Sequence, residues 1–387
     1  MHSPQSIRSL KLLALRISLF YGAIFAVIGI LMPFWPLWLS SKGITPSEIG
    51  WILAVATWSR AAINPLLAQS ADRHGRRNLM IVLLGWGAFL THILFFFSES
   101  FWSLFAISVV SSILLFALMP MADAVTMLKV REGAVDYGRV RLWGSLTFIA
   151  ATLAGGQFLK GQPADLILWL VVALLVVMVA SCHVVPKVTI KGARSFLEPL
   201  LCIVRNHRLI VFMLSASLIQ ASHAVYYGFS TLHWQANGLD EFTIGALWAE
   251  GVIAEVILFA IAGKYVERFG PVFFLTLGGL AGIIRWSILA TTTDVYALII
   301  VQWLHAFTFG ATHLAALYYI AKSVPAEFTA TAQSIYSSFA VGTTMACAML
   351  ASGWLYEVYV GGAFHVMTAM SGAGILILIL LNLIARK

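Results

Sequence analysis

The feature that most constrains this 387-residue chain is a succession of long apolar runs, separated by breaks of only a few polar residues. A helix that crosses the hydrocarbon layer of a membrane needs about 20 consecutive apolar residues. The runs predict twelve such helices, over 15–40, 47–69, 78–97, 101–128, 139–160, 164–183, 208–236, 242–264, 271–291, 295–321, 327–353 and 363–384. The breaks carry turn chemistry: Lys42-Gly43, Ser98-Glu99-Ser100, Gly161-Gln162-Pro163 and Gly270-Pro271. Only 10% of the residues are charged and 60% are apolar, whereas a soluble globular chain carries about 25% charge. That composition excludes a water-soluble enzyme or nucleic-acid-binding domain, because too little polar surface exists to cover one. The run from Ile17 to Leu39 follows Arg8, Lys11 and Arg16 and is too long for a signal-peptide core, so it reads as a retained first membrane helix. The expected fold class is an all-α membrane protein.

The net charge of +8 has a topological explanation. With the N-terminus in the cytoplasm, 20 of the 24 basic residues fall at cytoplasmic ends and loops. Lys42 and Lys160 fall outside, and Arg60 and Arg285 lie within spans. Lysine and arginine favour the cytoplasmic side of membrane helices, so both termini are expected there and the number of crossings is expected to be even. No basic stripe points to nucleic acid. Cys182, Cys202 and Cys347 show no disulfide or metal-ligand spacing, and neither a metal nor a cofactor is expected.

The chain also repeats itself. Phe34 to Gly50 reads FWPLWLSSKGITPSEIG, and Phe229 to Gly245 reads FSTLHWQANGLDEFTIG. Phe34 matches Phe229, Gly43 matches Gly238, and Ile49-Gly50 matches Ile244-Gly245, each pair 195 residues apart. Asp72-Arg73-His74-Gly75 matches Glu267-Arg268-Phe269-Gly270 at the same offset. A single acid-Arg-x-Gly loop would be an ordinary basic cytoplasmic turn, but two copies in register mark a duplication. Asp72, Arg73, Gly75, Glu267, Arg268 and Gly270 are therefore candidate conformational-loop residues, the glycines supplying a positive φ. The expected organisation is a six-helix bundle over 1–183, a cytoplasmic linker over 184–207, and a second six-helix bundle over 208–387.

This pattern resembles the major facilitator superfamily. The stretch Ala68-Gln-Ser-Ala-Asp72-Arg73-His-Gly75-Arg76-Arg77 is similar to that family's G-x-x-x-D-R-x-G-R-R/K signature, and Gly263 to Gly270 is similar to its second copy. The resemblance implies the major facilitator fold, two six-helix bundles around a cavity that opens to each side in turn. Asp123 and the stretch Asp136 to Gly144 (DYGRVRLWG) resemble the lactose-permease branch, where the matching carboxylate and second Arg form a substrate-binding pair. Arg285 and His305 stand where that branch places a coupling Arg and His, but Thr308 stands in place of its coupling carboxylate. A nearer resemblance is to the 3-phenylpropionic acid transporter group. It rests on DYGRVRLWGS (Asp136 to Ser145), ASHAVYYGFS (Ala221 to Ser230), Ala254-Glu255-Val256-Ile257 and His313-Leu314-Ala315-Ala316.

Ionisable groups within membrane spans are costly and usually face a cavity or a partner. Here they are Arg60, Asp123, Glu250, Glu255, Arg285, His92, His223, His305 and His313. A buried Arg fork holds a carboxylate with two parallel hydrogen bonds, so Asp123 and Arg141 form the first candidate pair, against the plainer reading of a fixed ion pair. Glu255 is the preferred proton carrier, with Arg285 and His305 as partners; an interhelix salt bridge is the plainer alternative. His223 lies between Gln220 and Tyr227 on one side of its helix, and His305 and His313 are about 80° apart by helix arithmetic. Trp143, Tyr226, Tyr227, Trp248 and Tyr319 are candidate ring-stacking residues for an aryl group. No arrangement of nucleophile and base suggests an enzyme.

These readings lead to the expectation of a secondary active transporter of the bacterial inner membrane, a monomer in the lipid, that imports an aromatic monocarboxylate such as 3-phenylpropionate together with a proton. The substrate-binding candidates are Arg141, Asp123, Trp143, His223, Tyr227, Trp248 and Tyr319; the proton-coupling candidates are Asp123, Glu255, Arg285, His305 and His313. The alternatives are a proton symporter of a neutral sugar or nucleoside, and a drug efflux antiporter.

Overall fold

A computed structural model of the chain describes residues 4–73, 76–186, 197–325 and 328–384. The described residues are helical almost throughout, with no strand among them. The first half contains α1 (Pro4–Ser41), α2 (Pro46–Arg73), α3 (Arg77–Leu94), α4 (Phe101–Phe116), α5 (Leu118–Arg131), α6 (Tyr137–Leu159) and α7 (Asp165–Val184). A short helix, α8 (Leu197–Arg205), precedes α9 (His207–Ala221), α10 (Ala224–Ala236), α11 (Glu241–Phe269) and α12 (Pro271–Leu289). The last part contains α13 (Val295–Gln302), α14 (Thr312–Ser323), α15 (Thr329–Ile335), α16 (Gly342–Tyr359) and α17 (Phe364–Ile384).

Helix occupies each of the twelve stretches read as spans. Among the described residues, ten stretches are both long and apolar enough to cross a membrane. The difference has a physical origin at two places. Helix α2 carries Glu48, Arg60, Asp72 and Arg73, which dilute its apolar character. Thr331–Leu380 forms one continuous apolar run of 50 residues, which bends at Val360, the one described non-glycine residue with a positive φ (49°).

Several spans are interrupted. Pro120 lies in the first turn of α5, where its missing N–H breaks the ladder carried over from α4. Between α9 and α10, the Ser222 hydroxyl donates to the Ile219 carbonyl (2.7 Å) and His223 Nδ1 donates to the Gln220 carbonyl (2.9 Å). Those side chains compete with the backbone for helix carbonyls. Two π-helical turns, Ala306–Ala311 and Tyr336–Val341, widen the helices on either side of α14 and α15.

The chain forms two compact units. Unit 1 comprises 1–44, 62–193 and 240–249; unit 2 comprises 45–61, 194–239 and 250–387. Each unit thus takes a helix start from the other part of the sequence, and the two exchanged segments begin 195 residues apart, at equivalent points of the repeat. Both starts are capped. Thr45 and Glu48 exchange hydrogen bonds at the head of α2 (2.9 and 3.3 Å), a capping box. At the equivalent position, Asp240 accepts from the Thr243 backbone N–H at 2.7 Å. The preceding turns use the paired glycines at positive φ, 78° at Gly43 and 88° at Gly238.

Within each unit, small residues let helices approach closely, as is common where lipid supplies no hydrophobic driving force. In unit 1, the Thr152 hydroxyl of α6 donates to the Gly29 carbonyl of α1 at 2.8 Å. A Cβ on Gly156 would lie 2.4 Å from the Glu241 carbonyl oxygen, so α6 meets the start of α11 backbone to backbone. In unit 2, a Cβ on Gly353 would lie 2.6 Å from the Pro46 carbonyl oxygen, a matching contact between α16 and α2. Lys160 and Asp240 close the unit 1 contact with an ion pair at 2.8 Å. The hydrogen bond from Lys160, reinforced by the Thr243 N–H, holds the Asp240 carboxyl down at about 2. In turn, the hydrogen bond to Asp240 raises the Lys160 ammonium above its ordinary value.

Two outcomes are expected. Gly156→Val forces backbone to move and lowers the thermal midpoint of the detergent-solubilised protein, by an overpacking cost of about 1–3 kcal/mol. Gly138→Ala, whose Cβ would meet only the Asp136 carboxylate at 3.4 Å, leaves the midpoint unchanged. The second concerns pH. A depressed carboxyl stabilises above its ordinary pKa, near 3.8, and loses that contribution as the pH falls toward 2. Asp240→Asn therefore lowers the midpoint slightly at pH 7, and thermal scans show the difference shrinking below about pH 4.

Candidate functional site

In unit 2, the buried polar groups converge on Arg285 of α12. Its side chain has no solvent exposure. Nη1 donates to His305 Nδ1 (2.9 Å) and to the Thr308 hydroxyl (3.1 Å), and Nη2 donates to the Gln302 side-chain oxygen (2.6 Å). Gln302 donates onward to the Tyr226 hydroxyl at 2.9 Å. The guanidinium lies over the Tyr226 ring at 4.6 Å and the Trp286 ring at 4.7 Å. The Nε of Arg285 has no hydrogen-bond partner among the described residues. Every direct hydrogen-bond partner of this cation is neutral.

The geometry fixes the histidine tautomers. A guanidinium only donates, so His305 Nδ1 accepts and the imidazole hydrogen sits on Nε2. That nitrogen faces the Glu255 carboxylate of α11 at 3.8 Å, beyond hydrogen-bond length but within reach of a small rearrangement. The Gln220 carbonyl only accepts, so His223 donates from Nδ1 and accepts at Nε2. Its Nε2 partner is the Thr308 hydroxyl at 3.0 Å. Hydrogen bonds thus run in one direction, from Arg285 to Thr308 to His223 to the Gln220 carbonyl. A second proton on either ring would break a bond to this chain and add charge beside Arg285. Glu255 is the acid that faces this cluster, through the His305 Nε2.

The π turn Ala306–Ala311 carries Thr308 and Phe309 into this cluster. Single π turns occur frequently at functional sites. His305 stacks on Phe309 (5.5 Å, 11°), and Phe309 stacks on His313 (6.0 Å, 9°). The uniform-helix arithmetic that separates His305 from His313 by about 80° is therefore corrected: the wide turn sets residues four apart nearly over one another. Gly251 of α11 faces this ladder; a Cβ there would stand in ordinary contact with the His305 side chain at 3.4 Å.

Unit 1 holds the second cluster. Asp123 of α5 accepts from the Tyr21 hydroxyl at 2.6 Å and from the Tyr137 hydroxyl at 3.2 Å. Arg141 of α6 lies over the Phe25 ring at 4.1 Å and the Tyr21 ring at 5.6 Å. The sequence pairs Asp123 directly with Arg141; the structure instead gives the carboxylate phenol partners and the guanidinium ring faces. Two tyrosine hydroxyls, one buried and one exposed, donate to Asp123, and no ion pair to it occurs among the described residues. Asp136, in the same motif, caps α6 by accepting from the Arg139 N–H at 2.8 Å.

Residues 14–366 match the family described as MFS_1 like. The chain belongs to this family. A relative from Escherichia coli (strain K12), described as a probable 3-phenylpropionic acid transporter, is 33% identical over 367 residues, covering 92% of this chain and 94% of the relative. The maltose permease of Geobacillus stearothermophilus is 26% identical over 378 residues, covering 94% and 93%. The crystal structure of the nucleoside transporter NupG superposes with a TM-score of 0.83, at 15% identity, over 97% of this chain and 99% of that one. That likeness shows a shared fold. This MFS_1 like protein is a multi-pass membrane transporter of major facilitator type and not an enzyme.

The remaining sequence candidates of this MFS_1 like transporter are distributed unevenly. Tyr227 stacks on His223 at 5.4 Å, inside the Arg285 cluster. Trp143 is two residues from Arg141, about 200° round the helix, and stands 54% exposed; it does not share the face of Arg141. Tyr319 stacks on Phe212 (3.8 Å, 5°) in the packed interior of unit 2. Trp248 is buried in the unit 1 part of α11. Gly270 has the expected positive φ of 84°, and Arg268 lies over the Phe269 ring at 5.3 Å, with Glu267 exposed beside it. In the first copy of the loop, Gly75 and the side chains of Asp72 and Arg73 lie outside the described residues. No cluster of three or more metal-ligating side chains occurs among the described residues. His92 is a packing residue: Nδ1 meets the Ala88 carbonyl at 2.7 Å among Trp35 and Phe95.

Sequence reasoning missed Tyr21, Phe25 and Gln302 as site residues. Gln302 was within reach, as it stands one helical turn before His305 and is polar in an apolar run. The central position of Thr308 yields an expected outcome. Thr308→Val removes the hydroxyl while keeping its shape, leaving His223 Nε2 buried and unbonded at a cost of about 1–3 kcal/mol. Thermal unfolding of the purified protein is expected to show the loss for Thr308→Val and near-normal stability for Thr308→Ser. Equal midpoints for Val and wild type would remove Thr308 from the centre of the network.

Proposed function

We propose that this transporter imports an aromatic monocarboxylate, such as 3-phenylpropionate, together with a proton by alternating access. One observation carries the substrate class. Arg141 is part-exposed, has ring faces for neighbours, and leaves its nearby acid, Asp123, to the tyrosines. A guanidinium in that setting, with the Tyr137 hydroxyl rather than an acid beside it, can turn its planar fork to an incoming carboxylate, and Phe25 and Tyr21 offer aromatic surface to the ring that follows it. The name of the Escherichia coli relative supports the same class.

The Arg285 cluster is assigned the proton. In this reading ionised Glu255 supplies the charge that offsets Arg285 through neutral His305. Protonation of Glu255 leaves the buried cation uncompensated and so favours the presence of an anion. His223, Tyr227, Gln302 and Thr308 hold the arrangement in place, His305 orients its Nε2–H toward Glu255, and His313 extends the ring ladder. The acidic role sits on α11, because Thr308 occupies the position where the lactose-permease branch has its acid. The cytoplasmic placement of both termini, from the distribution of basic residues, belongs to the same proposal.

Uptake by proteoliposomes tests it. Radiolabelled 3-phenylpropionate is expected to accumulate when an inward proton gradient is imposed and to stop accumulating when the gradient is collapsed. Arg141→Lys is expected to weaken binding at least tenfold, since an ammonium lacks the planar fork, while Glu255→Gln retains exchange of labelled for unlabelled acid and loses gradient-driven accumulation. Gradient-independent uptake would reject the coupling. Competition by maltose or nucleosides but by no aryl acid would reject the substrate class in favour of a neutral solute.

A further inference from the structure

The short helix α8, which enters unit 2 ahead of the first long helix of the second half, has a face the transport reading does not use. By helix geometry Ile203, Leu200, Val204 and Leu201 form one apolar stripe about 160° wide, bordered by Arg205 and Glu198. Half of that stripe is covered: Leu200 and Ile203 pack against the interior of unit 2. The other half is open, with Leu201 42% and Val204 54% exposed. Immediately after it, Asn206 caps α9 by accepting from the Leu209 N–H at 3.1 Å. The exposed His207 and Arg208 therefore stand at the head of an apolar span, Leu209 onward, where a membrane helix passes from hydrocarbon to water. Between α8, this helix start and Phe328 lies a groove of about 820 Å³, with Leu201, Arg205 and Arg208 on its walls.

Each part of this arrangement answers to one chemistry. An open apolar half-face beside a polar one, at the end of a span, is the pattern of a helix lying in the lipid headgroup layer. Two arginines on one groove present paired donors suited to phosphate oxygens. Arg205 and Arg208 against Glu198 leave a net positive charge, which selects an anionic group over a zwitterionic one. The groove volume falls within the range of small-ligand sites and accommodates a phosphate-bearing headgroup. We propose that this groove binds the headgroup of an anionic membrane phospholipid, with its acyl chains running over Leu201 and Val204. The occupant is a lipid and not a soluble phosphate, because the exposed leucine and valine would otherwise face water.

The experiment uses the full-length protein in micelles containing equal amounts of phosphatidylglycerol and phosphatidylcholine, with lipid retention read by native mass spectrometry. Wild type is expected to retain phosphatidylglycerol preferentially. Arg205→Gln with Arg208→Gln is expected to reduce that preference by roughly fivefold per arginine, and Arg205→Lys with Arg208→Lys to keep most of it. Raising the salt toward ~1 M, where the screening length is about 3 Å, is expected to abolish the preference in wild type, a readout independent of whether a variant folds. Equal retention of the two lipids by wild type, an unchanged preference in the double Gln variant, or persistence at high salt would each overturn the proposal. Displacement by glycerol phosphate alone would overturn the lipid assignment in favour of a soluble phosphate. None of these outcomes depends on the identity of the transported solute.

Discussion

A permanently charged guanidinium enclosed away from water is the constraint on which the second unit depends. Arg285 cannot be neutralised by giving up its proton, and an isolated buried ion is among the most expensive objects a protein can contain. Three helices and one turn contribute to its accommodation. Helix α12 supplies the arginine and Trp286, α13 supplies Gln302, the turn after α13 supplies His305 and Thr308, and α10 supplies Tyr226. The direction of every hydrogen bond outward from this group follows from its having nothing to accept with. The cation thereby sets the tautomer of His305, while the Gln220 carbonyl sets that of His223.

The first unit resolves a comparable problem in the opposite sense. Its central group is a part-buried carboxylate, and two phenols from α1 and α6 donate to it. The acid is held by hydroxyls, and the guanidinium nearby lies over ring faces. The two units thus contain an acid without a base and a base without a directly bonded acid. The duplication visible in the chain extends to turns and caps, with Gly43 and Gly238 at nearly equal φ and Thr45 and Asp240 capping equivalent helix starts. It does not extend to the buried charges, which have diverged between the copies.

This division explains what could be read from the residues. Apolar runs locate helices without any knowledge of packing, and a glycine that must adopt positive φ leaves a mark that survives divergence. Thr45-Pro46-Ser47-Glu48 and Asp136 announce helix starts by local chemistry alone. The α1 partners of Asp123 and Arg141 were not legible, because Tyr21 and Phe25 stand in an apolar run where aromatic residues are ordinary. Trp143 was misplaced by its closeness in sequence to Arg141, since two residues along a helix is more than half a turn. The convergence around Arg285 was partly legible, as Glu255, His305, His223 and Tyr227 are rare polar or ring-bearing residues in their spans. That Thr308 would stand at its centre was not, because a threonine in a membrane helix ordinarily returns its hydroxyl to its own backbone.

The π turn at Ala306–Ala311 has a consequence for how this helix divides its labour. A widened turn adds the equivalent of one extra residue to the helix register, so the surfaces before and after it are rotated relative to a uniform spiral. The segment ahead of it is committed to polar chemistry through Gln302 and His305, and the segment after it buries Ala315, Ala316 and Ile320 in the interior of unit 2. With the offset between them, neither surface dictates the orientation of the other. Substitutions that retune the polar end can accumulate without disturbing the packed end, a mechanical independence that one unbroken α-helix would deny them.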